Sequence, residues 1–135
     1  MSTYGIDIKL KGALDEVKAN VVEALKTQGF GILTEIDVQK TLKQKIGVDF
    51  KPYLILGACN PQLAHKALAT DESVGLLLPC NVVLKQEGDE VEVSILDPEA
   101  MFSIVEPETK KALAGLPQEV KSRLQAALLA LESQS

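Results

Sequence analysis

The chain opens on an alternation. Tyr4, Ile6, Ile8 and Leu10 fall on one side, Gly5, Asp7 and Lys9 on the other, which is the period-2 pattern of a half-buried strand over Thr3–Leu10. Gly12 breaks it. From Ala13 to Gln28 the period lengthens: Leu14, Val17, Val21, Val22, Ala24 and Leu25 make a helical stripe, with Asp15, Glu16, Lys18, Glu23 and Lys26 outside it. Acid at the start and Lys26 near the end suit the helix dipole, and Gly29 is placed to cap it. Phe30–Ile36 reads as a second strand, with Phe30, Ile32 and Thr34 facing one way. Asp37 follows as the N-cap of a short helix, Val38–Ile46, ended by Gly47.

Tyr53–Ala58 is apolar without alternation, which predicts a strand covered on both faces or centrally placed. Asn60 then caps a helix and Pro61 takes its first position, where a missing N–H costs little. That helix runs to about Thr70, with Leu63, Ala64, Ala67 and Leu68 inward, and Asp71–Gly75 is a loop. Leu76–Lys85 reads as a fourth strand, turned at Glu87-Gly88-Asp89 into a fifth, Glu90–Leu96, whose alternation leaves one face wet. Asp97-Pro98 repeats the cap-and-proline device before a short helix, Glu99–Ile104. Val105–Leu116 reads as irregular. A last helix spans Pro117 to about Leu131 on the stripe Val120, Leu124, Ala127, Leu128 and Leu131, and the tail E-S-Q-S frays. The order predicts one α+β domain over residues 1–135, with no repeat or linker.

With 135 residues, 46% apolar and 24% charged, the chain is long enough for one sizeable core. The net charge of −5 and the lack of a Lys/Arg run argue against a nucleic-acid partner. No apolar run is long enough to span a bilayer, and the first residues carry no basic-then-apolar signal, so the expectation is a cytoplasmic protein without a membrane partner and with reduced thiols.

Candidate chemistry centres on a repeated pair. The two cysteines, Cys59 and Cys80, are each followed by an asparagine, Asn60 and Asn81, and each pair lies in an apolar strand. Cys59 sits at the carboxyl end of its strand, ahead of a helix start whose N–H groups and dipole would favour a thiolate or bind an anion. Cys80, inside an apolar run, reads on its own as core. Its neighbours raise its interest: Pro79 suggests an edge or bulge, and Asn81 is a buried polar residue that needs a partner. Metal-binding spacing is absent. One histidine, His65, lies about a turn into the Pro61 helix. With Cys59, Cys80 and Met101 or Asp97 it would make a soft site for copper, zinc or haem iron, provided that it faces inward rather than standing beside Lys66 on the surface. Nothing resembles a Ser-His-Asp set, a P-loop or a dinucleotide fingerprint.

Four stretches, T-E-I-D-V-Q-K-T-L-K-Q-K-I-G at Thr34–Gly47, Y-L-I-L-G-A-C-N-P with A-H-K-A-L over Tyr53–Leu68, G-L-L-L-P-C-N-V-V at Gly75–Val83 and D-P-E-A-M at Asp97–Met101, together resemble family 302 of the domains of unknown function. The resemblance implies a curved antiparallel sheet of about five strands, TATA-binding-protein-like, with helices on one face, and a homodimer. It carries over Cys59, Asn60, Pro61, His65, Pro79, Cys80, Asn81, Asp97 and Met101 as motif residues.

The expected function is a non-enzymatic, homodimeric domain that binds a small ligand or a soft metal, haem included. Its ligand site is expected at Cys59, Asn60, Pro61, Cys80, Asn81 and Asp97, and its metal donors are expected to be Cys59, Cys80, His65 and Met101. Two alternatives stand beside it: a thiol enzyme or redox protein using Cys59 with His65 as base, and a structural dimerisation module whose cysteines are core. The residues do not name a cofactor.

Overall fold

A computed structural model describes residues 3–134. Five strands and six helices alternate as the hydrophobic pattern requires: β1 (Gly5–Lys11), α1 (Leu14–Thr27), β2 (Gly31–Asp37), α2 (Val38–Ile46), β3 (Tyr53–Cys59), α3 (Pro61–Thr70), a 3₁₀ turn (Glu72–Leu77), β4 (Cys80–Glu87), β5 (Glu90–Leu96), α4 (Pro98–Met101), α5 (Pro107–Ala112) and α6 (Leu116–Gln134). The strands form one antiparallel sheet in the order β1-β5-β4-β3-β2. The α+β class, the five-stranded antiparallel sheet and the helices packed on it are as expected.

Alternation decides which face is covered. Ile6, Ile8 and Leu10 lie opposite Ile95, Val93 and Val91; Val82 and Leu84 continue the row, and Leu56 and Leu54 extend it into β3. Against this face pack Val17, Val21 and Leu25 of α1 and Leu124, Ala127, Leu128 and Leu131 of α6. Leu56, Val82, Leu84, Val91, Val93 and Ile95 are wholly buried, and each such side chain contributes about 1.5–3 kcal/mol of transfer free energy. A second apolar cluster lies at the end of the sheet where β3 finishes and β4 begins. It joins Ala67 of α3 and Val74 to Met101, Phe102, Leu113 and Leu116. The other sheet face carries no such cluster. Its rows run Ile36–Ile55–Val83–Ser94–Asp7 and Tyr53–Lys85–Glu92–Lys9, apolar toward β2 and charged toward β1.

Several boundaries differ from the expected ones. The fourth strand starts at Cys80, because Pro79 has no N–H for the ladder. The preceding Glu72–Leu77 winds into a 3₁₀ turn, and its Leu76 is 89% exposed. The stretch Val105–Leu116, read as irregular, holds α5, which starts at Pro107 with Glu108 in its first turn and Lys110 and Lys111 in its last. The buried Thr109 hydroxyl of α5 donates to Asp71 Oδ2 at 2.7 Å, tying α5 to the 3₁₀ turn. The tail expected to fray is helical through Gln134, and Ser135 lies outside the described residues. In β2 the register shifts between Ile32 and Thr34, so that Ile32 pairs with Ala58 and Thr34 with Gly57 on opposite faces.

That bulge explains the middle of β3. A Cβ on Gly57 would collide with the Thr34 hydroxyl and come within 2.7 Å of Pro79 Cγ. The two side chains therefore cover the uncovered face of the sheet at this point, while Leu56 and Ala58 face the core. The expectation of a strand covered on both faces holds for this end of β3, whereas Tyr53 and Ile55 are only half-buried.

Candidate functional site

The turn from β3 to α3 places the first cysteine. Asn60 has extended backbone and its side-chain Oδ1 accepts a hydrogen bond from the Leu63 N–H at 3.2 Å. Pro61 follows at the first helical position. This is the cap that the sequence predicts, and it is buried, with Asn60 only 7% exposed. Its amide nitrogen lies 2.8 Å from where a Cβ on Gly29 would stand, and Gly29 has φ +85°, so the residue after α1 must be glycine on two counts.

β4 places the second cysteine. Cys80 pairs with Ala58, so Cys59 and Cys80 lie on neighbouring strands at the same end of the sheet, one residue out of register. Cys80 is buried, and its thiol donates to the Leu96 carbonyl at 3.8 Å. Burial, with Cys59 beside it, pushes the Cys80 thiol up to about 11. Burial pushes the half-buried Cys59 up as well. That direction runs against the thiolate expected at the helix start.

Cys59 and Cys80 both border a cavity of about 40 Å³ where the two apolar clusters meet; in the register Cys80 shares the core face with Ala58, whereas Cys59 shares the face of Gly57. Phe30, Ala58 and Cys80 wall it from the sheet side; Ala67, Met101 and Phe102 wall it from the other, and Cys59 and Asn60 also line it. Drug-sized ligands sit in pockets of about 300–1,000 Å³, so this space is small for an organic ligand.

The expected site residues therefore divide. Cys59, Asn60, Cys80 and Met101 come together around one cavity. His65 is exposed on α3 and does not line it, because Leu63, Ala64 and Ala67 are the residues that α3 turns inward. Asn81, expected to be buried, is exposed opposite Gly57 on the sheet's uncovered face. Pro61 is exposed and serves the helix start. Asp97 lies outside the cavity wall and acts as a bracket. Its Oδ1 accepts from the Glu99 N–H at 2.9 Å, capping α4, and its Oδ2 accepts from Lys121 Nζ at 3.0 Å. Lys121 also reaches Glu99 Oε1 at 3.0 Å. Burial pushes the Asp97 carboxyl up, but the hydrogen bonds from Lys121 and the Glu99 N–H and the ammonium charge outweigh it and hold it below its ordinary value. The bracket fixes α4, and with it Met101 and Phe102, against α6.

Sequence reasoning missed the aromatic walls Phe30 and Phe102 and the role of Lys121. Phe102 adjoins Met101 and was within reach of pattern reading; Lys121 sits 24 residues from Asp97 and had no local signal. Among the described residues no group of three or more His, Cys, Asp and Glu side chains is arranged to hold a metal. Among them, too, no helix is long and apolar enough to cross a membrane.

A five-stranded antiparallel sheet, helices on its apolar face and a small apolar cavity at one end define an α+β domain. Residues 6–131 match the family model described as Domain of unknown function DUF302, and the chain belongs to that family. The crystal structure of an uncharacterized conserved protein DUF302 from Bacillus stearothermophilus is similar throughout, with a TM-score of 0.81 and 29% sequence identity over 94% of this chain and 97% of that one. No curated protein matches the chain.

Proposed function

We propose that this chain is a non-catalytic, homodimeric binding domain of the cytoplasm, and that its ligand is a small soft species held in the cavity among Cys59, Asn60, Cys80 and Met101. The observation that carries the reading is convergence. Residues 59, 80 and 101 are far apart in sequence, yet all three line one apolar space. A cavity so placed serves binding better than catalysis, because the one imidazole of the chain, His65, stands outside it and no carboxylate or imidazole among the described residues lines it.

The dimer half of the reading is supported by the sheet face that the helices leave uncovered. Ile36, Ile55 and Val83 lie side by side across β2, β3 and β4, and Phe50 packs on Tyr53 at 5.9 Å between ring centres. Leu33, Ile36 and Phe50 expose 65%, 48% and 40% of their surface, more apolar area than an isolated chain would gain from showing to water.

Elemental analysis and absorbance of protein purified without chelator, with a native thiol count, test the ligand site. A stoichiometric soft element or bound mass, with both thiols protected until unfolding, is the expected result. Two thiols that stay equally inert in protein stripped of every bound species, with nothing retained on reloading, would leave the cysteines as core. Sedimentation tests the dimer: the wild type is expected at twice 14.5 kDa and Ile36→Lys at the single-chain mass. A wild type that sediments as a single chain at all concentrations would refute it.

A further inference from the structure

β1 ends the sheet, and one side of its backbone faces no other strand among the described residues. We propose that two copies of the chain associate there, β1 against β1 and antiparallel about a two-fold axis at Ile8, so that their sheets become continuous. This edge lies at the far side of the sheet from the apolar rows of β2 and β3, and the inference does not rest on the readings above.

Three observations argue for it. The first is the open ladder. The Gly12 N–H donates to the Asp89 carbonyl at 3.0 Å and the Tyr4 carbonyl accepts from the Asp97 N–H at 2.8 Å, so the even-numbered residues of β1 turn their polar backbone groups to β5. Those of Gly5, Asp7, Lys9 and Lys11 point away from the sheet, free to pair with a further strand. The second is charge. With Ile8 opposite its own copy, Asp7 stands opposite Lys9 of the second chain, Lys9 opposite its Asp7, and Ile6 opposite its Leu10. Asp7 Oδ1 is buried and accepts no hydrogen bond within the chain, so this register brings an ammonium to an unsatisfied carboxylate. Lys9, which would repel an arbitrary strand, here meets its complement. Sliding the pair by two residues sets Asp7 against Asp7 or Lys9 against Lys9, and sliding it by one turns the apolar residues to the wrong face. Across the junction the row reads Ser94–Asp7–Lys9–Glu92–Lys85, alternating in sign from Asp7 onward. The third is a groove of about 470 Å³ beside the edge, between the half-buried Ile6 and Ile8 and the α6 residues Leu128 and Leu129. Leu129 is 66% exposed although Leu128 beside it is buried. On this side the added strand brings its own Ile6 and Ile8 to the groove and covers Leu129. A seven-residue strand pair is a small contact, in the class of weak complexes that bury less than about 1,200 Å², so the association belongs to high protein concentration.

The test is sedimentation velocity of the full chain from micromolar to millimolar concentration, with amide hydrogen exchange at both limits. The mass is expected to double across that range. Exchange at Asp7 and Lys9 should slow, while Ile6 and Ile8, already bonded to β5, stay unchanged. Asp7→Lys and Lys9→Asp each set like charges opposite each other and are expected to lose the doubling. An equimolar mixture of the two variants is expected to regain it, because each then meets its complement; mixing does not cure a folding defect. Ile36→Lys is expected to keep the doubling, whereas the mass at the dilute limit reports on the apolar face, so the two contacts fail separately. A wild type that does not double, single variants that double as it does, or a mixture that stays apart would overturn the inference. Doubling that leaves the Asp7 and Lys9 amides exchanging as in dilute solution would also overturn it and assign the contact to another surface.

Discussion

Cys80 should behave as a concealed thiol, and the size of the effect follows from its setting. Its thiol is pushed up to about 11 by burial and by Cys59. At pH 8 about one such thiol in a thousand is ionised, against about one in four for a free cysteine near 8.5. The deficit is about 240-fold. A more basic thiolate is also more nucleophilic, and with a Brønsted slope of about 0.4–0.5 the higher value returns a factor of about 10–18. Ionisation alone thus makes Cys80 about twentyfold slower than a free thiol at pH 8, and its 6% exposure slows it further. The measurement is iodoacetamide alkylation of Cys59→Ser, which leaves Cys80 as the one thiol and removes the smaller contribution of Cys59 while keeping the burial that is the larger one, followed from pH 7 to 11 by mass spectrometry. Glutathione serves as the free reference and circular dichroism monitors folding. The rate is expected to climb past pH 9 without levelling. A plateau near pH 8.5, at a rate within twofold of glutathione, would refute the reasoning.

The same geometry sets other expectations. Gly57→Ala forces a methyl against Thr34 and Pro79 and should cost about 1–3 kcal/mol in urea unfolding; an unchanged midpoint would mean that the Thr34–Pro79 cover is loose. Asn60→Ala removes the α3 cap and should cost about 0.5–2 kcal/mol, and it should speed alkylation of Cys59 as the helix start frays. Asp97 has a lowered folded value, so its contribution is complete above the unfolded value of about 3.9 and is lost as pH falls through the folded one. Lys121 has a raised value, so its contribution is complete below about 10.4 and is lost above that. Stability of wild type relative to Asp97→Asn, which keeps a capping oxygen but no charge, should therefore peak between about pH 4 and 10 and vanish in acid. A difference that persists at pH 2 would assign the effect to packing.

Much of this fold is legible because its periods are clean. β1 and β5 alternate along their length and pair with each other, and α1 carries an unbroken stripe that ends at Gly29. The caps at Asp37, Asn60 and Asp97 are local chemistry, and each accepts the expected backbone hydrogen bond. Legibility ends where apolar residues serve a tertiary purpose without a period. Leu76–Leu78 reads as strand, but Pro79 defers the ladder to Cys80, and Leu77 and Leu78 pack on the second cluster instead. The candidate site divides in the same way. The two Cys-Asn pairs do lie on neighbouring strands, since β3 ends where β4 begins. Asn81 is misplaced by that pattern, because a central strand with one uncovered face turns every second residue to water. His65 was ambiguous for want of a phase; α3 settles it by turning Leu63, Ala64 and Ala67 inward.

The account stands on Cys59 and Cys80 acting as one site, and arsenite tests that most directly. Arsenous acid bridges two close thiols with loss of two waters, As(OH)₃ + 2 RSH → (RS)₂AsOH + 2 H₂O, and is small enough to enter where aromatic arsenicals are not. Native mass spectrometry of the reduced chain is expected to show one arsenic per chain and no countable thiol, with no adduct in either Cys59→Ser or Cys80→Ser. A chain that takes up no arsenic and keeps both thiols countable would contradict the shared cavity and return the two cysteines to the core.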